Sequence, residues 1–197
     1  MSEETVRYWD EQAGSFDEEP DHGLRDPAVR AAWRDLILPR LPGPCATVAD
    51  LGCGTGSLSC LLAQAGYVAS GVDLAPRMVA AARLKAAESG LSATFTLGDA
   101  ADPPLAAASC DVVLVRHVLW AMPDPDAAVG RWVQLLRPAG RLLLVEGRWH
   151  TGGGLSAEQA RELVARHRAR VHVEHLHDEA LWGGPISDER YLLLSRA

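Results

Sequence analysis

Three glycines alternate with small residues in Val48-Ala-Asp-Leu-Gly-Cys-Gly-Thr-Gly-Ser57, directly after a short apolar run. Gly52, Gly54 and Gly56 have no Cβ, so a chain turning through them can lay its backbone N–H groups against a ligand. A helix beginning at Ser57 would add the positive end of its dipole to the same place. Asp50 lies two residues before the first glycine, and Asp73 ends the next apolar run, 21 positions after Gly52 (73 − 52). A carboxylate at that second place can accept hydrogen bonds from a ribose diol, or cap the helix that follows, and the two roles are compatible. The constellation points to an adenosine-type ligand.

The spacing argues against a dinucleotide. The G-x-G-x-x-G fingerprint needs Gly or Ala at 57 if it starts at Gly52, or at 59 if it starts at Gly54. Both positions are Ser. A carboxylate at Asp50 would also repel a diphosphate, whereas it suits an ammonium group. An amino-acid nucleoside fits; a nicotinamide oxidoreductase does not.

The elements that must position these residues alternate along the chain. Apolar runs at 46–51, 67–73, around Phe95, at 110–115 and at 142–145 are separated by helical patterns. Those helices span Ser57–Gln64, a stretch from Pro76 to a stop at Gly90, and Ala127–Leu136 ended by Pro138 and Gly140. Continuously apolar strands alternating with helices imply a parallel sheet covered on both faces, with ligands at the strands' C-terminal ends. After the fifth strand a helix near Ser156–Arg168 leads to Val171–Leu176 and Arg190–Ser195, joined without a helix, which predicts an antiparallel hairpin. The first 40 residues read as two short helices, Val6–Phe16 and Pro27–Leu38, that precede a single globular unit over 41–197.

Four segments, Asp50-Leu-Gly-Cys-Gly-Thr-Gly56, Gly71-Val-Asp-Leu-Ala-Pro-Arg-Met78, Gly98-Asp-Ala100 and Cys110-Asp-Val-Val-Leu-Val-Arg-His-Val-Leu-Trp120, occur in order over half the chain. In this the sequence resembles the class I S-adenosylmethionine (SAM)-dependent methyltransferases of the small-molecule "domain 11/25" type. The resemblance implies a Rossmann-like doubly wound sheet of seven strands, order 3-2-1-4-5-7-6, with the last strand antiparallel. It implies SAM as cofactor and S-adenosylhomocysteine (SAH) as product. By the same resemblance Asp50 and the Gly52–Gly56 backbone, with Cys53, face the methionine part. Asp73 takes the ribose, Leu74 and Met78 the adenine ring, Asp99 its amino group, and Ala100 gives a backbone contact. Arg116 and His117 line the methyl-transfer site. The N-terminal Tyr8-Trp-Asp-Glu-Gln-Ala-Gly-Ser-Phe16 resembles a lid helix, from which Tyr8 would reach the cofactor carboxylate.

Methyl transfer needs an in-line nucleophile and, where that nucleophile must lose a proton, a base. His117 is the candidate base, as its ordinary pKa is near neutral, with His22 a second. Of six tryptophans, Trp33 and Trp132 fall on helices expected to be plain core. Trp9, Trp120, Trp149 and Trp182 fall in the lid or in loops after strands, so with Phe16 and His22 they are candidate substrate contacts for a flat or hydrophobic molecule. His172, His175 and His177 read as polar residues of an edge strand, so no metal site is expected.

The net charge of −7 disfavours a polyanionic partner. No apolar run approaches the ~20 residues that span a bilayer, and the start lacks a signal peptide, so the cytoplasm is expected. The four cysteines form no C-x-x-C pair and read as reduced. With no large insertion after the fourth strand, a small-molecule acceptor at O, N or C is expected. The alternatives are a methyltransferase acting on RNA or protein, and a module that binds SAM without turnover. The oligomeric state is not legible.

Overall fold

The computed structural model describes residues 2–197. Its centre is a seven-stranded sheet in the order β3-β2-β1-β4-β5-β7-β6. The strands are β1 (Thr47–Leu51), β2 (Val68–Asp73), β3 (Thr94–Leu97), β4 (Cys110–Arg116), β5 (Leu136–Arg148), β6 (Arg170–His175) and β7 (Glu189–Arg196). The first five run parallel, and β7 is antiparallel to both β5 and β6.

Period-two alternation divides the central strands between two cores. Val113, Val115, Leu142 and Leu144 face one side, where α6 (Pro125–Leu135) and α7 (Ala157–Ala165) cover them with Trp132 and Val164. Val112, Leu114, Leu143 and Val145 face the other, under α3 (Pro27–Ile37) and α4 (Ser57–Gln64), which contribute Trp33, Ile37 and Leu62. Both expected core tryptophans are fully buried with the indole N–H satisfied: Trp33 Nε1 donates to Leu181 O at 2.7 Å and Trp132 Nε1 to Ala100 O at 2.7 Å. α3 therefore shares its core with the sheet. α5 (Pro76–Glu88) opens with Pro at its first position and is followed by Gly90 at φ 63°, as its start and stop signals predict.

Two expectations are corrected. The helix before β5 ends at Leu135, and Pro138 and Gly140 lie inside β5. Pro is tolerated there because the ladder is irregular: two steps along β4, Cys110 to Val112, face five along β5, Leu136 to Arg141. The first helix, α1 (Glu3–Gln12), is started by the Ser2 side chain, which accepts from Thr5 N at 3.2 Å, and stops before Gly14. Phe16 sits instead on a short 3-10 turn, followed by the single-turn helix α2 (Pro20–Gly23). No described helix is long and apolar enough to cross a membrane.

Candidate functional site

The sheet's order reverses direction at β1, between β2 and β4, and a cavity of about 230 Å³ opens at the carboxyl ends of these strands. That is where open α/β sheets bind ligands. Its two walls differ in kind.

The first wall is mostly backbone. Gly52, Gly54 and Gly56 have φ of 69°, 54° and 75°, a region costly for any residue with a Cβ. Space excludes a side chain too: a Cβ on Gly52 would lie 2.3 Å from Val118 Cγ2, and one on Gly56 2.7 Å from Phe95. Asp73 clamps the turn, accepting from Gly54 N at 2.8 Å through Oδ2 and from Ala75 N at 2.9 Å through Oδ1. Burial raises the Asp73 pKa against the opposing pull of these amides. Gly52, Cys53, Gly54, Asp73, Leu74, Met78 and Ala100 all line the cavity. Burial, with Asp50 and Asp73 close by, pushes the Cys53 thiol up and keeps it protonated.

The second wall is aromatic and comes from segments far apart in sequence. His117 follows β4 directly, in the left-handed region at φ 58°, its N–H donating to Val145 O at 2.9 Å. Its ring stacks on Trp182 with centroids 6.1 Å apart and meets the edge of Trp149 at 5.6 Å. His22 stacks on Phe16 at 4.3 Å and stands 6.4 Å from the His117 ring. Trp120 packs edge-on against Trp149 at 5.5 Å, and its indole N–H donates to His117 O at 2.8 Å. Trp9, Phe16, His22, Arg116, His117, Trp120 and Trp149 line the cavity.

Nδ1 of His22 and Nε2 of His117 are buried with no protein partner. Burial lowers both imidazole pKa values, His117 well below 6.5, and the Arg116 guanidinium lowers both further. Both rings are therefore neutral at pH 7. Asp21, His22 and His117 bring one ligand atom each to within 4.8 Å of one another, the donor set of a metal site. The adjoining Arg116 charge opposes a dication there and favours a neutral polar group, such as a hydroxyl, between the rings.

The N-terminal segment that carries Phe16 and His22 is tied down at several points. Thr55 Oγ1 donates to Asp17, Lys85 Nζ lies 2.8 Å from Asp17 Oδ2, and Ser57 Oγ donates to Gly23 O at 3.2 Å. Arg116 donates to the Asp21 carbonyl and lies over the Trp33 ring, 5.1 Å from its centroid.

Five of the expected site residues stand off the cavity lining. Asp50 lies beneath the glycine turn, its Oδ2 accepting from Ser59 Oγ at 2.6 Å, and burial raises its pKa to about 6. Gly56 is the N-cap of α4. Asp99 turns back to accept from Ala101 N at 2.8 Å. Trp182 backs His117 from behind, meeting the Trp33 edge at 5.6 Å and lying under the Arg190 guanidinium, 5.5 Å from its ring centroid. Tyr8 is 55% exposed, because α1 turns Trp9, not Tyr8, inward.

Val118, Ala121 and Met122 also line the cavity, and Glu146 lies buried behind it, none of them among the residues expected from sequence. Only Glu146 carried a signal, an acid closing the apolar run of β5 much as Asp73 closes β2. His175 and His177, weighed as ligands, stack on each other at 6.0 Å near the sheet edge.

Residues 49–144 match the family described as "Methyltransferase domain", a span that holds the whole glycine turn and both residues Arg116 and His117. The chain belongs to the class I SAM-dependent methyltransferases. It is 37% identical over 127 residues to the ubiquinone biosynthesis O-methyltransferase of Xylella fastidiosa, covering 62% of this chain and 51% of that one. It is 37% identical over 138 residues to the nocamycin O-methyltransferase of Saccharothrix syringae, covering 68% and 48%. The chain thus spans about half the length of the curated relatives it matches. Among solved structures, the [4+2]-cyclase SpnF superposes with a TM-score of 0.72 at 23% identity, over 84% of this chain and 79% of that one. The phosphoethanolamine N-methyltransferase 2 of Haemonchus contortus, solved with SAM, gives 0.70 at 17% identity over 84% and 52%. These two likenesses establish the methyltransferase fold, and the cofactor of that family is SAM.

Proposed function

We propose that this chain transfers the methyl group of SAM to an oxygen of a small, flat molecule by in-line displacement. The observation that carries the proposal is the meeting of two unlike walls in one cavity. One offers amides and a carboxylate; the other offers aromatic faces and two neutral imidazole nitrogens that lack partners.

The first wall fits the cofactor, since side-chain-free backbone at Gly52 and Gly54 admits close approach. There the turn receives the amino-acid end, with Asp50 supplying negative charge from below and not direct contact. Asp73 holds the ribose diol, Leu74 and Met78 pack on the adenine, and Ala100 meets its edge. Bound there, SAM supplies a methyl group on a positively charged sulfur. Trp9, Phe16, Trp120 and Trp149 would sandwich a planar acceptor and hold its hydroxyl beside the bound cofactor. Such fixing of both reactants supplies roughly 7–11 kcal/mol. In the transfer of that methyl group from sulfur to oxygen, His117 Nε2 would take the hydroxyl proton, while His22 and Arg116 would orient the oxygen. Support for oxygen over nitrogen comes from the named O-methyltransferase relatives.

The test is twofold. Calorimetry should show SAH binding, and methyl-labelled SAM should label phenols in preference to amines of the same shape. No heat at millimolar SAH would end the proposal, and label moving only to amines would end its oxygen specificity.

A further inference from the structure

Glu146 ends the apolar run of β5 and is 1% exposed, and it does not itself line the cavity. One oxygen, Oε1, accepts from Val118 N at 2.8 Å and from Leu119 N at 2.7 Å. The other, Oε2, is buried without a partner. Burial pushes the carboxyl up to about 8, with the two amides opposing. A buried carboxyl with one unpaired oxygen is a poor choice for stability alone, since such a group costs free energy that an apolar residue would not.

What it holds explains the choice. Val118 and Leu119 open the 3-10 turn Leu119–Ala121, whose first amides have no partner within the turn. That short connection supplies His117, Val118, Trp120, Ala121 and Met122 to the cavity. His117 sits at φ 58°, a conformation that a non-glycine residue keeps only when its surroundings impose it. Val118 packs on Gly52, and Trp120 donates to the His117 carbonyl. One carboxyl thus pins the acceptor wall and presses it onto the glycine turn.

We infer that Glu146 is the positioning residue of the acceptor half: by gripping Val118 N and Leu119 N it sets where His117 and Trp120 stand relative to the cofactor wall. The inference rests on the methyl-transfer reading only for the chemistry that this positioning serves; the positioning itself is measured without turnover.

Amide exchange followed by NMR on the whole chain compares wild type with Glu146→Gln, which keeps an acceptor oxygen, and Glu146→Leu, which fills the space without one. In Glu146→Leu the Val118 and Leu119 amides should exchange roughly 10–100-fold faster, the loss expected when one partner of a buried pair is removed. Core amides at Val113 and Leu143 should keep their protection, and SAH should bind within about fivefold of wild type. The His117 imidazole, freed from its place, should titrate closer to its ordinary value. Glu146→Gln should restore the amide protection and the low His117 titration. Glu146→Ala takes the place of the Leu variant if that chain does not fold. Unchanged exchange at 118 and 119, faster exchange across the core as well, or failure of the Gln variant to restore protection would each overturn the inference. A wild-type chain that shows this pattern but binds no SAH would sink the functional reading and leave the positioning role standing.

Discussion

The two walls of the cavity are built by opposite strategies. The cofactor wall is local: Asp50 to Gly56 is one strand end and one turn, and Asp73 arrives on the adjacent strand, paired to β1 throughout. Backbone conformation does the work, and few side chains are needed. The acceptor wall is assembled at long range, from residues at 9, 16 and 22 before the sheet, 117–122 after β4 and 149 after β5. Its chemistry resides in side chains held by other side chains, as His117 is by Trp182 and Trp149. A fold can keep the first wall constant and vary the second, which is how one architecture serves many acceptors.

If the division is real, substitutions on each wall should separate binding from turnover. The largest effect is expected for His117→Ala, with the methyl-transfer rate down by about 10²–10⁴-fold and SAH affinity little changed. Single-turnover rates beside calorimetry check this, and equal losses in both would break the comparison. On the other wall, Gly52→Ala must force a Cβ to within 2.3 Å of Val118 Cγ2 at a positive φ. A weakening of SAH binding by about 100-fold is expected, equivalent to roughly 2.7 kcal/mol. Gly54→Ala should cost less, because the nearest atom its Cβ meets belongs to the Phe16 ring, at 2.9 Å rather than 2.3 Å.

A smaller effect separates the turn's support from its surface. Burial raises Asp50 to about 6 in the folded chain, against the opposing Ser59 hydrogen bond. An unfolded aspartate ionises near 3.9, so the unfolded state loses its proton first. Asp50 therefore costs stability increasingly as pH rises from about 4 to 6, and the cost is constant above that. Asp50→Asn, which keeps an oxygen for Ser59, should gain on wild type over that window by an amount on the order of 2 kcal/mol. Denaturant melts at pH 4 and 7 measure it, and a gap between the two chains that stays constant with pH would contradict it.

The same division explains what could be read from sequence. Glycine spacing is a statement about backbone, so the turn, Asp73 and the seven-strand order were legible from residues 47 to 146 and the family they resemble. Trp9, Trp120 and Trp149 were foreseen as pocket residues only because they fall in loops after strands or in the first helix. Trp182 met the same criterion yet packs behind His117, since its loop feeds the core beside Trp33. No periodicity records that Val118 would fill the space above Gly52, nor that one carboxyl of Glu146 would hold two amides 27 and 28 positions away. Pro138 misled the reading because a stop signal for a helix is equally a residue that an irregular strand accepts.

The smallest expected effect concerns the first helix, where Tyr8 and Trp9 are neighbours with opposite surroundings. Tyr8 points to solvent, 55% exposed, and touches Trp9 edge-on at 5.1 Å. Trp9 lines the cavity and meets Phe16 edge-on at 6.3 Å. Because Phe16 in turn packs on Gly54, Trp9 links the N-terminal segment to the cofactor wall. Trp9→Ala should weaken SAH by about tenfold, the loss of one aromatic contact of roughly 1.4 kcal/mol. Tyr8→Ala, which removes only an exposed edge contact, should leave SAH affinity within about twofold, inside the range of ordinary surface changes. If calorimetry instead finds Tyr8 the costlier of the two, the segment closes on the cofactor by a different face of α1, and the aromatic wall begins one residue earlier.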